Sequence, residues 1–218
     1  MGNNILLKKK NVPGQVEVLI DVSNLETIPK HVNTLSLLNK NITSLHCLNN
    51  FKNLKRLFLG GNSISVLEGL LGCVALEELW LDHQRLPPSE ALQLDQRTIN
   101  SLSENLIKLN LSGNHLVSTV PLRALRKLQF LDISQNDLSD LEETVETVAV
   151  WKELREIKCD KNPIAKHRFY EAAIVQCNPL LRYFNEKSVT LECRVSYSKL
   201  INAYIMNARR SHLINRWS

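Results

Sequence analysis

Two consecutive stretches decide the reading: Leu106-Ile107-Lys108-Leu109-Asn110-Leu111-Ser112-Gly113-Asn114-His115-Leu116, and Leu128-Gln129-Phe130-Leu131-Asp132-Ile133-Ser134-Gln135-Asn136-Asp137-Leu138. Both fit the template L-x-x-L-x-L-x-x-N-x-L. The same spacing fits at Val32-Leu35-Leu37-Lys40-Ile42, at Leu54-Leu57-Leu59-Asn62-Ile64, at Leu76-Leu79-Leu81-Gln84-Leu86 and at Leu154-Ile157-Cys159-Asn162-Ile164. The six starts fall at 32, 54, 76, 106, 128 and 154, with a recurrent step of 22 residues. In an L-x-L pair the two apolar residues lie on one side of a strand and the residue between them on the other. Six such units stack as short parallel strands with a shared core, because none can bury its apolar face alone. The Asn ends each strand by satisfying backbone groups at the turn.

The expected architecture is therefore an α/β solenoid of leucine-rich repeats: a curved parallel sheet on the concave side, short helices on the convex side, and a cap at each end. Residues 1–31 read as the N-terminal cap, 32–164 as the repeats, 165–196 as the C-terminal cap and 197–218 as an amphipathic helix. Within the first cap, Val16, Val18 and Ile20 alternate like an edge strand, while Val18 to Ile28 also suits a helix. Leu45, Leu48, Leu67, Leu70 and Leu141 are expected to close the core from the convex side. An insertion at 87–98 lengthens the third repeat, with Ser89 as a candidate helix cap after Pro87-Pro88. Extra residues within Glu142 to Trp151 are expected to lengthen the helix of the fifth. The cap's helix is expected from Lys166 to Cys177, and Tyr197, Leu200, Ile201, Tyr204, Ile205 and Ala208 share one helical stripe beyond it. Lys40 and Gln84 replace the repeat Asn. Gln still reaches a carbonyl, and Lys40 stands at the end of the stack.

Composition narrows the function. The 218 residues are 44% hydrophobic and 22% charged, which suits a folded core and excludes a low-complexity chain. Residues 1–150 hold 14 Lys and Arg against 16 Asp and Glu, whereas residues 151–218 hold 13 against 6. That basic third has no accompanying aromatic-basic cluster of nucleic-acid type, so a nucleic-acid partner is not expected. No apolar run is long enough to span a membrane, and the start of the chain lacks the form of a secretion signal. Five scattered cysteines then suggest a reducing, cytoplasmic setting. The sequons at Asn41 and Asn110 read as coincidental. There is no phosphate-binding glycine loop, no G-x-S-x-G, no H-E-x-x-H and no paired cysteine motif. The expectation is a chain that is not an enzyme and carries no cofactor or metal.

Function is then sought on the positions flanking the inward leucines. These give Arg56 and Phe58, Glu78, Trp80 and Asp82, Phe130 and Asp132, and Glu156 and Lys158. Aromatic anchors rimmed by charges are the usual composition of a protein-binding hot spot.

Certain stretches also resemble a known family. They are Lys40-Asn41-Ile42, Leu57-Phe58-Leu59-Gly60-Gly61-Asn62, Val66-Leu67-Glu68-Gly69-Leu70, Gln84-Arg85-Leu86-Pro87 and Asp95-Gln96-Arg97-Thr98. With the 22-residue step and the end cap, the chain resembles the intracellular leucine-rich repeats typified by regulators of type-1 protein phosphatase, over roughly residues 30–195. The resemblance implies a non-catalytic adaptor of the phosphatase catalytic subunit. It also implies tubulin as a partner and a place at the cytoskeleton, the centrosome or another microtubule-organising centre. Many regulators of this phosphatase carry a basic-Val-x-aromatic docking motif, which Arg194-Val195-Ser196-Tyr197 approximates. The cap of the family usually reads Leu-Asp where this chain has Tyr183-Phe184-Asn185.

Overall fold

Each L-x-L pair becomes a strand of only three residues, with its central leucine or isoleucine buried and the residue before it turned outward. In the computed structural model, residues 6–9, 16–19 and 31–214 are described, with side chains for 31–204. In chain order, β1 (Leu6–Lys9) and β2 (Val16–Leu19) form an antiparallel hairpin. The repeats follow with β3 (Thr34–Ser36), β4 (Arg56–Phe58), β5 (Val66–Leu67), β6 (Glu78–Trp80), β7 (Gln93–Leu94), α1 (Gln96–Leu102), β8 (Lys108–Asn110) and β9 (Phe130–Asp132). Then come α2 (Leu141–Val150), β10 (Glu156–Lys158), α3 (Tyr170–Cys177), β11 (Tyr183–Phe184), β12 (Lys187–Ser188) and α4 (Leu191–Ile214). The main sheet runs β3-β4-β6-β8-β9-β10-β11-β12, parallel until β12 turns back.

Repeat length sets what crosses the convex side. The 22-residue steps leave room only for single 3-10 turns, at His46–Asn50 and Val120–Ala124, or for the two-residue β5. The 30-residue step makes room for α1 and the 26-residue step for α2. The inward apolar residues of all six repeats form one continuous core, all of them buried except the partly buried Leu86. Leu45, Leu48, Leu67 and Leu70 close it from behind, while Leu141 is only partly buried.

The repeat asparagines bind each repeat to its predecessor. Asn62 Nδ2 donates to Leu59 O in its own repeat and to Leu37 O in the one before, and its Oδ1 accepts from Lys40 N and Ile42 N. Asn136 does the same toward Leu111 O, Asn114 N and Leu116 N. Each Asn thus serves the preceding repeat, so the first repeat tolerates Lys40. Gln84 keeps the bond to Leu59 O, but its Oε1 accepts from Ile64 N alone. Asn185 ends the series by accepting from Cys159 N and Asp160 N.

The turn residue before each of these positions is left-handed throughout: Asn39, Gly61, His83, Gly113, Gln135 and Lys161, with φ from 50° to 70°. The two glycines alternate with larger neighbours. A Cβ at Gly61 would lie 2.2 Å from Asn39 Oδ1, and one at Gly113 would lie 2.2 Å from His83 Nδ1.

Three local expectations are corrected. Ser89 does not cap a helix: Leu92 is buried, Gln93–Leu94 pair with β5, and α1 starts only after Asp95, whose carboxylate accepts from Thr98 N. These bonds hold the Asp95 carboxyl below its usual range. The cap helix starts at Tyr170, since Pro163–Lys166 forms a 3-10 turn. The last helix begins at Leu191, not 197, because Thr190 Oγ1 accepts from Cys193 N and starts the helix there. Of the N-terminal alternatives, Val16–Leu19 is a strand, and residues 20–30 lie outside the described residues.

Candidate functional site

Parallel register puts Phe58 of β4 directly beside Trp80 of β6, and their rings stack with centroids 6.1 Å apart at 23°. Phe130 of β9 lies across β8, where Lys108 and Asn110 intervene. It nevertheless stacks on Trp80 at 5.7 Å and 27°. The contact is diagonal, since the register sets Trp80 against Asn110 and Phe130 against Lys108. Asn110 is only 7% exposed, its Oδ1 accepting from Ser112 N. The result is one row of three half-buried rings on the outer face of the sheet. Trp80 Nε1 is shielded from solvent and has no acceptor among the described residues. The burial of Asn110 also leaves no room for a glycan on its sequon.

The charged candidates divide into engaged and free groups. Arg56 Nε donates to Thr34 Oγ1 at 3.0 Å. Glu78 pairs with Lys108 at 3.1 Å. Lys158 pairs with Glu186. That bond raises the Lys158 ammonium above its ordinary range and holds the Glu186 carboxyl below its own. Asp132 is 9% exposed, and its Oδ1 accepts from Ser134 N and Ser134 Oγ. One oxygen of Asp132 is thus committed to the turn, while the other has no donor among the described residues. Asp82 and Glu156 are half-buried on the same face and make no ion pair among the described residues.

The Arg194-Val195-Ser196-Tyr197 motif is not a free docking segment. It lies within α4. The Arg194 guanidinium donates to Val175 O, Asn178 O and Leu181 O, and Tyr197 OH donates to Glu171. Burial, with Glu171 second, raises the Tyr197 phenol to about 12. A sequence reading does not reveal this staple, because Arg194 serves carbonyls at the end of a helix some fifteen residues away. The apolar stripe of the last helix is likewise split. Tyr197 and Ile201 are half-buried, whereas Leu200 is 43% and Tyr204 48% exposed. Tyr204 is held from the side by Phe169 at 4.7 Å, with Arg168 over both rings. The side chains of Ile205 and Ala208 lie outside the described residues.

No helix among the described residues is long and apolar enough to cross a membrane. No cluster of His, Cys, Asp or Glu suited to a metal occurs among them.

Residues 104–143 match the family model of leucine-rich repeats (2 copies). A leucine-rich-repeat protein of Leptospira interrogans is similar over 76% of this chain and 39% of that one, with a TM-score of 0.57 and 24% identity. Internalin C2 of Listeria monocytogenes is similar over 71% of this chain and 62% of its own, with a TM-score of 0.51 and 24% identity. The likeness thus spans less than two thirds of either neighbour. Repeat spacing, asparagine ladder, open parallel sheet and these likenesses agree: the fold is a leucine-rich-repeat solenoid.

Proposed function

We propose that the chain is a non-catalytic adaptor that holds a protein partner against the concave face of its sheet. The observation that carries this is the row Phe58–Trp80–Phe130, three stacked rings left partly open to solvent on one surface. Large rings on an outward face gain about 25 cal/mol for each Å² a partner covers, and such anchors dominate binding energy.

The partner best supported by the resemblance is the catalytic subunit of type-1 protein phosphatase. The quoted stretches, above all the insertion through Asp95-Gln96-Arg97-Thr98, are similar to regulatory subunit 42 of that enzyme, the testis leucine-rich-repeat protein. Regulation then consists of covering or redirecting the catalytic subunit at centrosomes and microtubule-organising structures of the cytoplasm. In a co-precipitation with the purified catalytic subunit, Trp80→Asp loses at least roughly 2 kcal/mol of binding, about thirtyfold, with an unchanged circular dichroism spectrum. Undiminished binding by a folded Trp80→Asp chain refutes the concave-face reading.

A second reading is favoured by the 13 basic against 6 acidic residues of 151–218: a ciliary or centrosomal scaffold that meets the acidic surface of tubulin with no phosphatase role. Microtubule co-sedimentation that falls steeply with salt, and is indifferent to Trp80→Asp, distinguishes it.

A further inference from the structure

Beyond the aromatic row, the C-terminal end of the concave face opens into a cavity of about 680 Å³, within the range of built ligand sites. Its inner surface is made by consecutive strands and their turns. Ser112, Asp132, Ser134 and Asp160 supply hydroxyls and carboxylates, and the Lys158–Glu186 pair forms one wall. Asp132 is the informative residue. It is nine-tenths buried and lines the cavity, its Oδ1 is filled by Ser134, and no donor among the described residues reaches its Oδ2. Asp160 is half-buried and also makes no ion pair among them. Among the lining residues Lys158 is the one cation that is not exposed, and it feels the carboxylates of Glu186, Asp132 and Glu156. The inner groups therefore carry net negative charge, with acceptors to spare. The lining also holds Lys161, Lys187, His167 and Glu171, all exposed, where water screens their charges.

We infer that this cavity seats a basic side chain, an arginine guanidinium in the best fit, supplied by the protein that the aromatic row engages. A guanidinium has five donors and no acceptor, matching a floor of carboxylate and hydroxyl oxygens. A phosphate meets Asp132 and Asp160 first and is repelled. The inference rests on the concave-face reading for its partner, and it adds a spacing. Trp80 on β6 and Asp160 beyond β10 are three strand steps apart, about 14 Å at ~4.8 Å per step. An extended partner segment spans that distance in roughly four residues.

The test uses the intact chain alone. Its 15N-labelled amide spectrum is titrated with N-acetyl-arginine amide, with the neutral N-acetyl-citrulline amide, and with inorganic phosphate. Saturable shifts of the Ser112, Ser134 and Asp160 amides are expected with the arginine compound only. Asp160→Asn is expected to weaken them roughly tenfold, while the remainder of its spectrum reports an intact fold. Absent shifts with arginine, equal shifts with citrulline, or shifts with phosphate instead overturn the inference. Trp80→Asp leaves these shifts in place, so failure of the adaptor reading and failure of the cavity are told apart.

Discussion

The asparagine ladder and the aromatic row run along the same strands, yet one repeats and the other does not. At the ladder, Asn62, Asn114, Asn136 and Asn162 are buried to 4% exposure or less and make nearly the same bonds, because each faces an identical copy of the backbone. On the outer face, equivalent positions read Ser36, Phe58, Trp80, Asn110, Asp132 and Lys158. Where the chain must satisfy itself, the repeat imposes one residue. Where it faces outward, the repeat imposes nothing, and side-chain identity is left to binding. Regularity here marks stability, and the irregular face is the one proposed to meet a partner.

The contrast can be broken most severely at the ladder. Asn136→Ala removes an amide that donates to Leu111 O, Ile133 O and Ser134 O and accepts from Asn114 N and Leu116 N. At ~1–3 kcal/mol for each buried group left unsatisfied, denaturant unfolding should show a loss of about 4 kcal/mol. The chain that remains folded should still bind through Trp80. Trp80→Asp is the reciprocal case, with binding lost and the unfolding midpoint nearly unmoved. Gly113→Ala comes next. Its left-handed backbone costs an alanine about 1 kcal/mol, and the His83 ring must also swing aside, so a urea midpoint should report roughly 1–2 kcal/mol in total. The smallest effect is chemical. Burial pushes the Cys73 and Cys159 thiols up to about 12 and shields them, so iodoacetamide at pH 8 should leave both unmodified until the chain unfolds. Exposed Cys47, whose thiol partial burial also raises, should still react in the native state, more slowly than a free thiol.

Much of this was legible because the leucine and asparagine positions have a single use. The strands, their parallel order and the outward residues all follow from the period. What was not legible involves residues with several uses. Ser89 and Asp95 are both good helix caps, and only the burial of Leu92 and the pairing of Gln93–Leu94 with β5 choose between them. Asp132 looks like a surface charge until Ser134, two residues on, takes one of its oxygens. Arg194 looks like part of a docking motif until the end of α3 and the turn after it bring three carbonyls to it. The spacing places Phe58, Trp80 and Phe130 on one face, but the diagonal contact of Trp80 with Phe130 does not follow from the register, which sets Trp80 against Asn110 and Phe130 against Lys108.

The row of left-handed turns has a consequence for how such a chain can change length. Asn39 leans over Gly61 and His83 over Gly113, so the first four modules are sized in pairs. Excising the second module would set His83 against Asn39, and excising the fourth would set Gln135 against His83, crowding bulky groups where a bare backbone had made space. Among the first four modules, units that look interchangeable by their leucines are thus ordered by their corners, whereas Gln135 and Lys161 adjoin with no glycine between them, and there the corners impose no such order.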